Sequence, residues 1–274
     1  MLYVPAHIKR RGGYPLVVLF HGGASNAEAI AKGSAMHKLA EEKGFAVAYP
    51  VGTQGGAGLT WKPSGRNASR KIGDIRFVRR LLLRLQRQYD IDPSRIFFAG
   101  FSIGGTLVYE LGTLMADRVA AIGVVGGSML DAIARPTRPV PLIHIHGLAD
   151  QRVPFEGGQG RSTAEANEWP PVQAGIDFWR AANGCEAPPI RDDSIPGVTG
   201  LLYRGLADIE LWTIEDGTHS WPVRKATTPA AGTPSEPSFS ASEAIWRFFS
   251  TRPRRKTFLA TGEQVESVRP VRLR

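Results

Sequence analysis

Arg95-Ile-Phe-Phe-Ala-Gly-Phe-Ser-Ile-Gly-Gly105 is the stretch that decides how this chain is read. Ile96, Phe97 and Phe98 are β-formers that run straight into Gly100-Phe-Ser-Ile-Gly104, and residues 106–114 follow as a helix-compatible segment. A strand, a sharp turn and a helix around G-x-S-x-G make a nucleophile elbow. Gly100 and Gly104 flank Ser102 because the turn brings the strand and helix backbones together and leaves no room for a Cβ. Ser102 is therefore expected at strained dihedrals, tolerated only where the surroundings enforce them. Its hydroxyl would stand at the top of the sheet over a helix N-terminus, with the Ile103 N–H facing a developing oxyanion. A Gly-rich turn with an incidental serine is the alternative, and the strand before it argues against that.

Working outward, apolar runs alternate with helical patterns. Leu16-Val-Val-Leu-Phe20 is continuously apolar, as expected of a strand buried on both faces of a parallel sheet, and residues 45–49, 120–125 and 141–146 read alike. Residues 2–4 add a strand, and the alternating Ile209-Glu-Leu-Trp-Thr-Ile214 gives the last one. Helices are expected over residues 34–42, from Asp74 as N-cap with Ile75, Val78, Leu82, Leu85 and Tyr89 on one stripe, and over residues 169–183. Ser240 and Glu243 form a capping box ahead of Ile245, Phe248 and Phe249. Residues 50–71 read as a long loop carrying Trp61, residues 156–167 as a polar, Gly-rich excursion, and residues 222–237 as a Pro/Thr/Ser-rich loop. The alternation predicts one doubly wound, mostly parallel α/β domain over residues 1–251, with its site in the loops at the carboxyl ends of the strands. Residues 252–274 lack periodicity and read as a loosely ordered basic tail.

Composition narrows the function classes. The chain has 274 residues, 42% hydrophobic and 22% charged, as in ordinary globular proteins. No apolar run approaches the ~20 residues that span a bilayer. The first residues do not read as a signal peptide, because their apolar stretch is too short; the chain enters directly in a strand, so a preceding segment outside it is compatible with the reading. The compartment stays open. Of the net charge of +9, the tail accounts for +5, with seven basic and two acidic side chains. Arg76, Arg79, Arg80, Arg84 and Arg87 lie largely off the apolar helix stripe and read as a solvated face. No nucleic-acid motif accompanies these charges, so neither nucleic acid nor membrane is expected as a partner. Cys185 is the single cysteine, which excludes an intramolecular disulfide and a cysteine-based metal cluster.

A serine hydroxyl is a poor nucleophile until a base takes its proton, and the base needs an orienting acid. On an elbow-bearing α/β sheet the order along the chain is Ser, then acid, then His. His146-Gly-Leu-Ala-Asp150 places Asp150 on a strand-end loop, and Asp216-Gly-Thr-His219-Ser-Trp221 places His219 after the last strand. Asp208 and Asp216 are rival acids, the latter better read as a turn former. His144 and His146 alternate on one strand face; His146 is expected to support the acid loop, and no third ligand suggests a metal. The second oxyanion donor is expected from His21-Gly-Gly23, where Gly23 N–H is the choice and Ala24 the next, with His21 as a buttress. Trp61 and Trp221 lie on expected strand-end loops and would either wall a pocket for an aromatic acyl group or pack the loops.

With these residues assembled, the chain resembles the α/β-hydrolase branch that contains feruloyl esterases and polyhydroxybutyrate depolymerases. The resemblance runs over residues 2–249. It rests on Pro15-Leu-Val-Val-Leu-Phe-His-Gly-Gly23, Phe45-Ala-Val-Ala-Tyr-Pro50, Asp92-Pro-Ser-Arg-Ile96, the elbow, His146-Gly-Leu-Ala-Asp150, Asn183-Gly-Cys185 and Gly217-Thr-His-Ser-Trp-Pro222. It implies an α/β-hydrolase fold, no cofactor, and a Ser102–Asp150–His219 triad acting on small-molecule or oligomeric esters through an acyl-enzyme. Many relatives are secreted with paired cysteines, whereas this chain has the single Cys185. The absence of a polymer-binding module and of a long inserted lid favours small or soluble esters. A polyester-oligomer hydrolase, an acyltransferase, a serine peptidase and a non-catalytic binding protein stay open as alternatives.

Overall fold

The apolar runs assemble into a nine-stranded sheet, in a computed structural model that describes residues 1–6, 8, 12–63, 72–130, 134–161, 168–223 and 239–254. In chain order the first elements are β1 (Leu2–Tyr3), β2 (Tyr14–Phe20), α1 (Ala27–Ser34), α2 (Met36–Lys43) and β3 (Ala46–Ala48). A small hairpin, β4 (Thr53–Gly55) and β5 (Gly58–Thr60), precedes α3 (Ile72–Gln88), β6 (Ile91–Phe101) and α4 (Ile103–Leu114). Then come β7 (Ala121–Val125), β8 (Leu142–Gly147), the short pair β9 (Gly158–Gln159) and β10 (Glu168–Trp169), and α5 (Val172–Asn183). The chain continues through β11 (Ile190–Ile195), β12 (Val198–Tyr203), β13 (Ile209–Ile214) and α6 (Ala241–Ser250).

The sheet order is β1-β3-β2-β6-β7-β8-β13-β12-β11. The block from β3 to β13 is parallel, while β1 at one edge and β12 and β11 at the other run antiparallel to their neighbours. The two-residue pleat sorts each central strand between two cores. In β2, Leu16, Val18 and Phe20 pack with α3, α4 and α5, whereas Val17 and Leu19 pack with α1, α2 and α6. A strand apolar at every position is what such two-sided burial demands.

The differences from the sequence reading have local causes. The helix expected over residues 34–42 is α2, which starts at Met36; α1 before it was not expected, and the two are separated by Ala35, which sits in the left-handed region at φ 48°. Ser34 carries the break: its hydroxyl accepts the Met36 N–H at 3.3 Å and its carbonyl accepts the Ser242 hydroxyl at 2.7 Å. Asp74 is the third residue of α3 rather than its cap, and its carboxylate accepts the Lys62 N–H at 2.8 Å. Ile75, Val78, Leu82 and Leu85 are buried as expected, but Tyr89 lies beyond the helix and is exposed. Pro170 and Pro171 keep α5 from starting at Trp169, which belongs to β10. The β11–β12 hairpin was not expected. Its turn is Pro196-Gly197, with Gly197 at φ 70°, and β11 is an exposed edge bearing Arg191, Asp192 and Asp193, so it lacks the apolar pattern of a buried strand. Arg252 reaches Asp208 at 3.2 Å and Arg254 N–H reaches the Ser94 carbonyl at 2.7 Å; the rest of the expected tail, and most of the loop over residues 222–237, lie outside the described residues.

Candidate active site

The elbow forms where β6 meets α4. Ser102 sits at φ 56°, ψ −125°, between the last residue of the strand and the first of the helix. A β-carbon on Gly104 would fall on the His21 and Phe20 carbonyls, and one on Gly100 on the Gly104 carbonyl. Only glycine permits that approach, and it draws the helix N-terminus up against the end of β2. Ser102 N–H donates to the Val125 carbonyl at 2.9 Å and its own carbonyl accepts Thr106 N–H at 3.0 Å, so neighbours on both sides hold a conformation that costs about 1–3 kcal/mol.

The acid and the histidine come from the ends of adjacent parallel strands, β8 and β13. Gly147 and Gly217 lie backbone to backbone, and Ala149 N–H donates to the Gly217 carbonyl at 3.0 Å. The two loops therefore rise from the sheet together. His219 bridges the constellation: Nε2 lies 2.9 Å from Ser102 Oγ and Nδ1 lies 2.7 Å from Asp150 Oδ2. The other Asp150 oxygen accepts N–H groups from Arg152 at 2.8 Å and Val153 at 2.9 Å. Burial pushes the Asp150 carboxyl pKa up, but the His219 hydrogen bond and the two backbone donors outweigh it and hold the group below the usual carboxylate range. The rival acid Asp208 instead accepts Arg204 and Arg252, and Asp216 is not brought to His219 by any of these contacts.

On the opposite side of Ser102, the loop after β2 lies over the start of α4. A β-carbon on Gly22 would stand 3.4 Å from Ser102 Cβ, and one on Gly23 would stand 3.6 Å from Ile103 Cγ2. Among the described residues, neither Gly23 N–H nor Ile103 N–H has an intramolecular acceptor. His21 is buried under this loop. It accepts Gly52 N–H on Nε2 at 3.0 Å, which leaves the proton on Nδ1 to be donated to the Gly22 carbonyl at 2.7 Å.

Trp61 and Trp221 are both buried. Trp61 donates its indole N–H to the His21 carbonyl at 2.9 Å and packs against Phe20 and Phe77. Trp221 donates to Ser242 Oγ at 3.0 Å and meets Phe101 edge to face. Each ring thus braces a loop that carries a site residue. Two further features escaped the sequence reading. Gly126, at φ 57°, forms the floor below the His219–Asp150 pair; a β-carbon there would stand 3.6 Å from His219 Nδ1 and 3.7 Å from Asp150 Oδ2. Tyr109 on α4 approaches His144 at 2.7 Å, a partnership between elements that spacing along one strand cannot reveal. Among the described residues, no group of three or more His, Cys, Asp or Glu side chains is arranged to hold a metal ion, and no helix is long and apolar enough to cross a membrane.

A bifunctional acetylxylan esterase/xylanase of Neocallimastix patriciarum is 28% identical over 160 residues, covering 58% of this chain and 22% of that protein. Feruloyl esterase B of Piromyces equi is 28% identical over 221 residues, covering 75% of this chain and 39% of that protein. The chain therefore spans less than half the length of these two curated relatives. Among solved structures, the acetyl xylan esterase from Aspergillus awamori superposes with a TM-score of 0.63 at 15% identity, covering 91% of this chain and 92% of that one, which shows the α/β-hydrolase fold. Residues 1–138, which carry the Gly23 loop and the Ser102 elbow, match the family described as Esterase PHB depolymerase. With half of its length matched in this way, the chain belongs to the Esterase PHB depolymerase family.

Proposed function

We propose that this protein is a serine carboxylic-ester hydrolase. The observation that carries the reading is the single imidazole of His219, 2.9 Å from Ser102 Oγ and 2.7 Å from Asp150 Oδ2. His219 Nε2 takes the Ser102 proton as Oγ attacks the ester carbonyl, and a tetrahedral oxyanion forms against the N–H groups of Gly23 and Ile103. The new imidazolium gives its proton to the leaving alcohol, and the acyl group stays on Ser102. Water, deprotonated by the same imidazole, then releases the acid and restores the hydroxyl. Asp150 keeps the His219 proton on Nδ1 and stabilises the imidazolium while it lasts.

For substrate, the reading is a small or soluble ester, with aromatic acyl groups of the feruloyl type first. Support comes from the relatives, two of which are named as esterases of acetylxylan and of feruloyl groups. Trp61 and Trp221 act in this reading as braces for the oxyanion and histidine loops, since both indole N–H groups already have internal acceptors. The family match favours hydroxybutyrate oligomers as the second class. The test is a panel of short aliphatic nitrophenyl esters, methyl ferulate and a soluble hydroxybutyrate oligomer, run beside Ser102→Ala. The expected result is turnover of at least one ester class and a fall of roughly 10⁴-fold or more in kcat for the variant. Preference for ferulate selects the aromatic class and preference for the oligomer the polyester class; turnover of none, or turnover that survives in Ser102→Ala, overturns the assignment.

A further inference from the structure

A line of polar side chains runs from the core to the acid loop. Tyr109 OH lies 2.7 Å from His144 Nδ1, His144 Nε2 lies 3.0 Å from His146 Nδ1, and His146 Nε2 lies 2.8 Å from the Val153 carbonyl. Tyr109, His144 and His146 are all buried, and the two imidazole planes are nearly parallel, 3° apart. The line ends where the site begins, because Val153 N–H donates to Asp150 and His146 Nε2 stands 3.5 Å from Asp150 Oδ2.

We infer that Tyr109, acting through His144, is a positioning residue that stabilises the His146 proton on Nε2, where the Val153 carbonyl sets it, and thereby holds the Asp150 turn in register with His219. The direction of every proton follows from one fixed end. A carbonyl only accepts, so His146 must donate from Nε2 to Val153. With a neutral ring, His146 Nδ1 is then an acceptor, His144 Nε2 must donate to it, and His144 Nδ1 must accept the Tyr109 hydroxyl. No other arrangement of two neutral rings satisfies all three contacts. Burial lowers the pKa of both histidines and raises that of Tyr109, which favours the neutral forms. The titratable groups around His146 are His144 on its own strand, Asp150 on the acid loop, His219 on the neighbouring loop and, through His144, Tyr109 on α4; Phe155 covers its edge without charge.

The consequence reaches the triad. Were the His146 proton on Nδ1, its Nε2 lone pair would face two acceptors, the Val153 carbonyl and Asp150 Oδ2, and the turn would open. Were His146 protonated on both nitrogens, it would compete with His219 for Asp150 Oδ2. Tyr109 disfavours both by donating to His144 Nδ1, which completes the one arrangement that the Val153 carbonyl sets at the other end. A phenylalanine of the same shape leaves His144 Nδ1 a buried acceptor without a donor, which weakens this arrangement against its reverse.

This inference rests on the reading of Asp150 as the catalytic acid, but its first readout does not need turnover. Selective ¹⁵N labelling of the histidines, with His146 assigned by substitution, is expected to show the Nε2–H tautomer in the wild-type protein at about pH 7.5. A ¹⁵N–¹⁵N coupling through the His144–His146 hydrogen bond is expected with it. Tyr109→Phe, folded by near-UV circular dichroism, is expected to show mixed His146 tautomers. Its kcat should fall about 10- to 100-fold with KM within about twofold, as for a small misplacement of catalytic groups. A packing role alone would lower stability without moving the tautomer. An Nδ1–H or doubly protonated His146 in the wild-type protein overturns the inference, as does a folded Tyr109→Phe with unchanged tautomer and kcat. If Tyr109→Phe does not fold, 4-fluorophenylalanine at position 109, which fills the para position but cannot donate, is put to the same tautomer and kcat readout. Persistent activity in Ser102→Ala would instead sink the esterase reading and leave the tautomer result standing.

Discussion

At the scale of single residues, glycines with one letter in common have different jobs. Gly147 has no room for a side chain, because a β-carbon would penetrate the Gly217 carbonyl and force the acid and histidine loops apart. Gly147→Ala is therefore expected to lose about 1–3 kcal/mol of stability, read as a lower urea midpoint, together with most of the activity. Gly23 is different. A methyl group there would meet Ile103 Cγ2 at 3.6 Å and Thr60 Oγ1 at 3.7 Å, both ordinary contacts, and the backbone is not in the left-handed region. Gly23→Ala should keep the urea midpoint within the equivalent of about 0.5 kcal/mol, while the methyl group crowds the proposed oxyanion side and lowers kcat/KM. A Gly23→Ala variant that unfolds would contradict this account of the loop.

At the scale of elements, caps and breaks set where helices place their loops. Ser240 caps α6, accepting the Glu243 N–H at 3.3 Å. From there Ala241, Ile245, Phe248 and Phe249 bury one stripe of the helix against the sheet, and Phe249 stacks on Phe97 at 4.7 Å. Ser240→Ala is expected to cost about 1 kcal/mol, measurable by chemical denaturation, with kcat unchanged because the helix body remains packed. Trp61 is a brace of another kind. Its indole N–H is the donor to a buried carbonyl at the head of the loop after β2, so Trp61→Phe leaves the His21 carbonyl without it. A loss of about 1–3 kcal/mol and a reduced kcat are expected together; a loss of stability with unaltered kcat would mean that the loop does not depend on this bond.

At the scale of the whole molecule, the buried histidines couple stability to pH. His21, His144 and His146 all have pKa values lowered by burial, so the folded protein resists protonation that the unfolded chain accepts. Above the ordinary histidine value of about 6.5 both states are neutral there and the full stability is present. As pH falls below it, the unfolded chain binds protons first, and stability is lost at up to ~1.4 kcal/mol per pH unit for each such histidine until the folded pKa is reached. Asp150, also depressed, adds its loss only below the ordinary carboxylate value of about 3.9. The urea midpoint should thus be flat from about pH 8 to 7 and decline from about pH 6.5 to 5. A midpoint that does not move over that lower window would contradict the neutral, buried state of these rings.

The sequence by itself determined the elbow, the parallel sheet and the triad candidates. Those features are written in short-range chemistry: two glycines around a serine after a β-run, apolar strands with no polar face, and an acid and a histidine just past strand ends. It also carried the signal for the β11–β12 turn in Pro196-Gly197, although the charged edge strand beside it hid the pairing. What only the tertiary structure decided is which groups meet across elements. Nothing near Trp61 in the chain says that its indole binds the His21 carbonyl 40 residues away, so the sequence leaves pocket wall and loop packing equally open. Nothing near Tyr109 says that its hydroxyl orders two histidines 35 and 37 positions later, because that contact depends on how α4 packs over β8. Periodicity tells which face a side chain takes; the partner on that face is set by the packing of another element against it.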